Sequence, residues 1–286
     1  MGKDKSLLVD TLFDLTLTKE MIRSIREAVP EEPAVDIVVN THVNGDHCYG
    51  NELFQGAQII ASQACAEEFA REIPPRVMVE TLKAAPGMGT LGRYFTECFG
   101  RFDFEGIMLT PPTATFEKEM EIDLGSKTVR LIEVGPCHTR GDILVLVPEN
   151  RLLFAGDILF VDGTPVMWEG PVANWVAACD RILDLDVETI VPGHGPVAGK
   201  KAVRQARDYW IFLEEQARKR FDEGVPSDEA ARQLLHSPYS SWGDPERVVI
   251  NVHTLYREFE GDETPPNRVQ LFNIMAGMWE DRTGVR

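Results

Sequence analysis

Positive charge is in short supply in this sequence. Lys and Arg number 29 against 46 Asp and Glu, a formal net charge of −17 over 286 residues. A deficit of that size argues against a general nucleic-acid binder, which releases phosphate counterions with surplus cations. It argues equally against docking on an anionic membrane. No apolar run approaches the roughly 20 residues needed to span a bilayer, and the first residues lack a secretory h-region. Cysteine is sparse as well: Cys48, Cys65, Cys98, Cys137 and Cys179 are odd in number, scattered and free of any CxxC pair. They read as reduced thiols, which places the expected protein in the cytoplasm. Low-complexity tracts and solenoid-spaced repeats are missing. So are a GxSxG nucleophile elbow and a phosphate-binding P-loop. What remains is a globular composition, 43% hydrophobic and 26% charged, long enough for one large domain or two small ones.

Four short apolar runs each lead into a turn rich in Gly, Asp or His. They are Leu7-Leu8-Val9 before Asp10, Ile37-Val38-Val39 before Asn40-Thr41-His42, Leu152-Leu153-Phe154 before Gly156-Asp157, and Thr189-Ile190-Val191 before Pro192-Gly193-His194. Runs this short, bounded by turn residues, predict buried strands. Between the first two, residues 18–29 place Met21, Ile22, Ile25 and Ala28 at helical spacing behind a Thr18-x-Glu20 opening. A strand–helix–strand unit predicts a partly parallel sheet. Residues 120–124 and 129–134 flank Gly125-Ser126 as a hairpin, and Ile143–Val147 pairs toward Leu152 across Pro148-Glu149-Asn150. Two strand-rich halves, each with its own helices, predict sheet packed on sheet with helices outside.

Two stretches fall outside that scheme. Residues 64–106 scatter Met78, Met88, Leu91, Tyr94, Phe95, Phe99, Phe102 and Phe104 among glycines and prolines. They read either as helices completing the core or as a mobile hydrophobic cover over a cleft. Residues 200–286 are helical by pattern over 201–223, 227–235, 245–259 and 269–281. The domain division expected is therefore 1–199, cover included, followed by a helical C-terminal extension at 200–286.

Chemistry is concentrated in the turns. The chain has six histidines, and four sit just beyond predicted strands. His42-Val43-Asn44-Gly45-Asp46-His47 alone packs two imidazoles, a carboxamide and a carboxylate into six residues. His138, Asp157 and His194 each follow a strand in turns containing glycine. Neutral imidazole and carboxylate are the donors that borderline-soft divalent metals take, at about 2.0–2.2 Å.

These motifs, in this order over about residues 7–198, resemble the metallo-β-lactamase-fold hydrolases. The family's His-x-His-x-Asp-His reads here His42-x-Asn44-x-Asp46-His47. His138 matches its second-motif histidine, Asp157 its bridging aspartate and His194 its last histidine. The resemblance implies an α+β four-layer αββα sandwich. It also implies one or two divalent ions, zinc by preference, and a metal-bound hydroxide that attacks a carbonyl. Asp46 would both bind metal and orient the hydroxide. Asp10 and Asp142 are expected to orient imidazoles, with solvated turn carboxylates as the alternative; Cys48 and Cys137 are expected only to pack. Two departures stand out. Only Met1–Ser6 precede the first strand, where the family carries a hairpin, so either the outer sheet is shorter or the natural chain starts earlier. Asn44 stands where the family has a histidine. The His42, Asn44, His138 site is therefore expected to be weaker than the Asp46, His47, His194 site, with Asn44 a weak or absent ligand.

For substrate, the 64–106 stretch and Val166-Met167-Trp168 suggest an apolar pocket, with Tyr94, Phe99, Met167 and Trp168 as expected contacts. Phe102-Asp103-Phe104-Glu105-Gly106, Asn174-Trp175, Asn251-Val252 and Tyr256-Arg257-Glu258 resemble the actinobacterial cyclase/thioesterase branch of aromatic polyketide biosynthesis. That resemblance implies hydrolysis of a small or carrier-bound acyl thioester; the charge deficit leaves no nucleic-acid or membrane partner expected, and a homodimer stays open. The alternatives are a lactonase or esterase, a catalytically inactive binding homologue, and a glyoxalase-II-like thioesterase. The last would need cations near the site, for which Arg93 and Arg101 are the nearby residues in the cover.

Overall fold

The computed structural model describes residues 1–29 and 34–285, and two sheets organise it. The first sheet holds β1 (Leu7–Val9), β2 (Ile37–Val39), β3 (Gln58–Ser62) and β4 (Ala114–Phe116), all parallel and in chain order. Parallel strands need a crossover, and α1 (Leu15–Ala28) supplies the one between β1 and β2. The helix opens earlier than the Thr18-x-Glu20 pattern predicts. Asp14 is its cap, accepting a 2.7 Å hydrogen bond from the Leu17 amide. Thr18 is buried inside the helix, its hydroxyl donating to the Asp14 carbonyl.

In the second sheet β5 (Glu119–Asp123), β6 (Thr128–Glu133), β7 (Ile143–Val147) and β8 (Leu152–Phe160) run antiparallel, and β9 (Thr189–His194) pairs parallel to β8. Both expected hairpins form, pairing Asp123 with Thr128 and Val147 with Leu152. β7 shows how the layers are built. All five of its residues are buried. Ile143, Val145 and Val147 face the first sheet's Val39 and Ile60, while Leu144 and Leu146 join the helix-facing core. Alternation along one strand thus serves two layers, and the fold is the expected αββα sandwich.

Helices coat both faces. α2 (Gly45–Cys48) follows β2, and α3 (Gln63–Phe69), α4 (Pro75–Ala84) and α5 (Gly89–Phe99) occupy the proposed cover. Phe69, Met78 and Phe104 are buried with Tyr49 and Cys48 of the α2 region, and Phe95, Phe99 and Phe102 pack against them. The stretch therefore contributes core around α2. On the other face, α6 (Val172–Asp184) is followed by α7 (Lys200–Asp222), α8 (Ser227–Leu234), α9 (Val248–Glu260) and α10 (Arg268–Thr283). Trp175 of α6 meets Trp210 of α7 at 4.3 Å between ring centres. Its indole donates to the Ile158 carbonyl of β8. The C-terminal helices thus share one continuous apolar core with the second sheet. Among the described residues, no helix is long and apolar enough to cross a membrane.

Candidate metal centre

Strand ends of both sheets deliver the polar residues to one place. Asp10, at the end of β1, takes a left-handed φ of 59°. It accepts the Thr41 amide at 2.7 Å, the Thr41 hydroxyl at 2.7 Å and His47 Nδ1 at 2.9 Å. The bond to Nδ1 fixes the His47 tautomer and leaves Nε2 for the cluster. The His47 carbonyl accepts from the Thr11 amide and the Asn40 carboxamide, and Asn40 and Asn51 pair with each other. That buried amide pair anchors the short α2 against the sheet. From the second sheet, β8 supplies Asp157 and β9 supplies His194. The two strands can approach because Gly193 has no side chain: a Cβ there would lie 2.0 Å from Asp157 Oδ1.

Asp157, 3% exposed, is the hub. Its Oδ1 lies 3.2 Å from His47 Nε2, and its Oδ2 lies 3.2 Å from His138, 3.4 Å from His194 and 3.8 Å from His42. Asp46 Oδ2 sits 3.3 Å from His194 Nε2 and 3.5 Å from His47 Nε2. Burial pushes the Asp157 carboxyl up, but the surrounding imidazoles, His194 and His47 foremost, hold it well below the usual range. The same balance, with His47 and His194 against burial, keeps Asp46 low. In return, and against burial, Asp157 and Asp46 raise His194 to about 9, and the same carboxylates with Asp10 raise His47. Burial and the neighbouring His47 keep His42 low and neutral.

The residues fit a divalent cation. His42 Nε2, His47 Nε2 and Asp157 Oδ1 are buried without a hydrogen bond, a condition that costs about 1–3 kcal/mol per atom unless something else satisfies it. Among the described residues, two triads have all their donor atoms within 4.8 Å of one another: His42, His47 and Asp157, and Asp46, His47 and His194. An entering ion must displace the protons on His47 and His194, so its affinity rises with pH.

A family model of the metallo-beta-lactamase superfamily matches residues 2–194. The chain belongs to that superfamily. Its relatives include acyl-coenzyme A thioesterase MBLAC2 of Bos taurus, 26% identical over 225 residues (73% of this chain, 76% of that one). The alpha subunit of 2,4-dinitroanisole O-demethylase from Nocardioides sp. (strain JS1661) is 24% identical over 201 residues, 68% of this chain and 50% of that one. Among solved structures, a metallo-beta-lactamase from Pontibacter korlensis aligns at TM-score 0.55 and 18% identity, covering 74% of this chain and 84% of its own. The sec-alkylsulfatase Pisa1 from Pseudomonas sp. aligns at TM-score 0.66 and 16% identity, covering 95% of this chain and 48% of its own. As a metallo-beta-lactamase superfamily member, the protein is a hydrolase with a divalent-metal centre.

Within this superfamily centre, His42, Asp46, His47, His138, Asp157 and His194 converge. Asn44 takes a different part from the histidine it replaces. It is the N-cap residue of α2, and its side-chain Oδ1 lies 2.6 Å from His138 Nε2. His138 Nδ1 donates to the Val166 carbonyl, so Nε2 of the neutral ring needs a donor, and the Asn44 amide, turned over, is one. The contact is also too short for two ligands of one tetrahedral ion, whose bonds of about 2.1 Å put ligands roughly 3.4 Å apart.

Asp142, expected as an imidazole partner, instead accepts from the Thr139 amide, the Thr139 hydroxyl and the Cys137 amide, shaping the turn that carries His138. Cys48 and Cys137 are fully buried. Of the four expected substrate contacts, Tyr94 and Met167 are interior in this structure, 3% and 0% exposed. Tyr94 packs on Trp279 and Phe272, and Met167 is bonded through its backbone to Asn251 and Thr254. Phe99 and Trp168 keep part of their surface. Arg93 is paired to Glu280, and Arg101 lies over the Phe102 ring. Sequence reasoning missed Phe160, which stacks on His194 at 4.7 Å, and the Asn40–Asn51 pair. Phe160 lies beyond the run that predicted β8, and an Asn before a histidine turn carries no signal of burial.

Proposed function

We propose that the protein is a zinc-dependent thioesterase. The observation that carries this reading is the Asp46, His47, His194 and Asp157 cluster, open at Asp46 and His194 and closed elsewhere. Asp46 is 31% exposed and His194 40%, against 3% for Asp157. Bound there, a divalent ion would polarise an acyl carbonyl and acidify a water. Asp46, ionised at neutral pH, would accept a hydrogen bond from the attacking water and aim it. Asp157 keeps the imidazoles oriented, and Asp10 holds His47 in the tautomer that presents Nε2. Water would add to the acyl carbon and pass its proton by way of Asp46 to solvent, while the C–S bond breaks, the thiol departs as a thiolate and the acyl group leaves as the carboxylic acid. A thiol with a pKa near 8.5 leaves without a strong general acid. The acyl-coenzyme A thioesterase relatives support a thioester over other acyl bonds.

Lactone or ester hydrolysis would use the same cluster. A glyoxalase-II-like preference is disfavoured because Arg93 and Arg101 are engaged elsewhere. The narrower polyketide cyclase reading rests on stretches that here also serve packing: Phe104 is 2% exposed, Trp175 and Asn251 0%. We extend the proposal to a cytoplasmic enzyme acting on small or carrier-bound acyl substrates. The test is turnover of matched thioester, ester, lactone and β-lactam panels by protein of measured metal content. The thioester should be hydrolysed fastest, and loss of zinc should abolish turnover; a metal-free preparation at full rate would sink the proposal.

A further inference from the structure

We propose that Arg268 is the anion anchor of the substrate pocket and holds the phosphate of a pantetheine-type thiol carrier beside the metal centre. The inference rests on the thioesterase reading above. Three observations place the residue. The Trp168 amide donates at 3.1 Å to the carbonyl of His138, so Trp168 borders the metal cluster. The Arg268 guanidinium lies over the Trp168 ring, 4.7 Å from its centre. Glu72 feels the charges of both Arg268 and Asp46, so the arginine's charge reaches a group that the metal-centre carboxylate also reaches.

Beyond the Trp168 stack and the more distant Glu72 charge, no partner engages Arg268 directly among the described residues. It is exposed, and among the described residues it makes no ion pair within 4.0 Å. Stacking on an aromatic face occupies the flat side of the guanidinium and leaves its edge N–H donors free. It is the first residue of α10, where a cation opposes the helix dipole by about 0.3–1 kcal/mol. The first turn of α10 carries no acidic residue, so the helix end adds to the attraction for an anion. Phe272, one turn further along α10, sits near Phe99 at 6.3 Å between ring centres. A cation and an aromatic wall therefore lie one helical turn apart, suited to an anionic carrier and an apolar acyl group. In a chain of net charge −17, an unpaired arginine beside the site is a selective feature.

The test compares one acyl chain on three thiols, using zinc-loaded full-length protein: coenzyme A, 4′-phosphopantetheine and uncharged N-acetylcysteamine. Arg268→Ala should raise KM for the two phosphorylated thioesters about ten- to hundred-fold, the range of a charge-assisted hydrogen bond. It should leave kcat and the N-acetylcysteamine kinetics within about two-fold, and Arg268→Lys should recover part of the loss. An effect on coenzyme A alone would place the contact at its nucleotide phosphates and overturn the pantetheine assignment. Equal losses on all three thiols, or none, would overturn the anchor. Should the unmodified protein hydrolyse esters or lactones and no thioester, the thioesterase reading fails by itself. Calorimetric titration with 4′-phosphopantetheine then decides Arg268, which stands if the unmodified protein binds and Arg268→Ala does not, and falls otherwise.

Discussion

The two sides of Asp157 make the clearest contrast in the molecule. On one side, Asp46, His47 and His194 bring donor atoms within 4.8 Å of one another, with His47 Nε2 unsatisfied. On the other, Asn44 and His138 are within hydrogen-bonding distance, and His42 Nε2 is left without a partner. One carboxamide in place of an imidazole thus turns part of a ligand set into a protein hydrogen bond. The difference is chemical. An amide can donate to a neutral histidine, whereas a second neutral imidazole facing the same Nε2 would leave both lone pairs free for an ion.

Changes on the Asp46 side should have the largest effect. Asp46→Ala and His194→Ala should each lower kcat/KM by about 10²-fold or more, with zinc per chain falling in parallel by mass spectrometry. Activity kept with metal lost would break the contrast. Next in size, Asp10→Asn should weaken zinc affinity about ten- to hundred-fold by releasing the His47 tautomer, read by competition with a chelator. Unchanged affinity would show that packing alone orients His47.

Asn44→His sharpens the comparison directly. The unmodified protein should bind one ion more tightly than any second, and the variant should move toward two per chain in metal titrations. Two equally tight ions before substitution would show that Asn44 serves as a full ligand. The smallest effect concerns Glu72, whose carboxyl burial raises from 4.5 to about 7. Its folded pKa lies above its unfolded one, so the folded chain keeps a proton that the unfolded chain releases near 4.5. Stability is thereby lost as pH rises from about 4.5 through 7. Glu72→Gln should stabilise the protein by about 1–2 kcal/mol at pH 8 and by little at pH 4.5, measured by urea unfolding at both values. An equal change at the two pH values would show that Glu72 ionises freely.

Much of the fold was legible because its signals are local. Apolar runs closed by turn residues marked β1, β2, the start of β8 and β9, and apolar periodicity marked the C-terminal helices. β3 and β4 escaped, the first a five-residue strand and the second three residues in a polar stretch. The start of α1 was misjudged because Asp14 and Thr18 are both good caps, and only the chain path shows which one is buried within the helix.

Residue pattern and family resemblance together were enough to point to the sandwich and to six acidic or imidazole side chains that the fold brings together, since their motifs follow strands in a set order. Tertiary structure decided the rest. It paired Asp10 with His47 across 37 positions and Asn44 with His138 across 94. It buried Tyr94 and Met167, and it carried Arg268, 100 positions beyond Trp168 in the chain, over the Trp168 ring. Such contacts depend on which strand ends and helices meet, and hydrophobic packing of whole layers settles that before any polar pair can form.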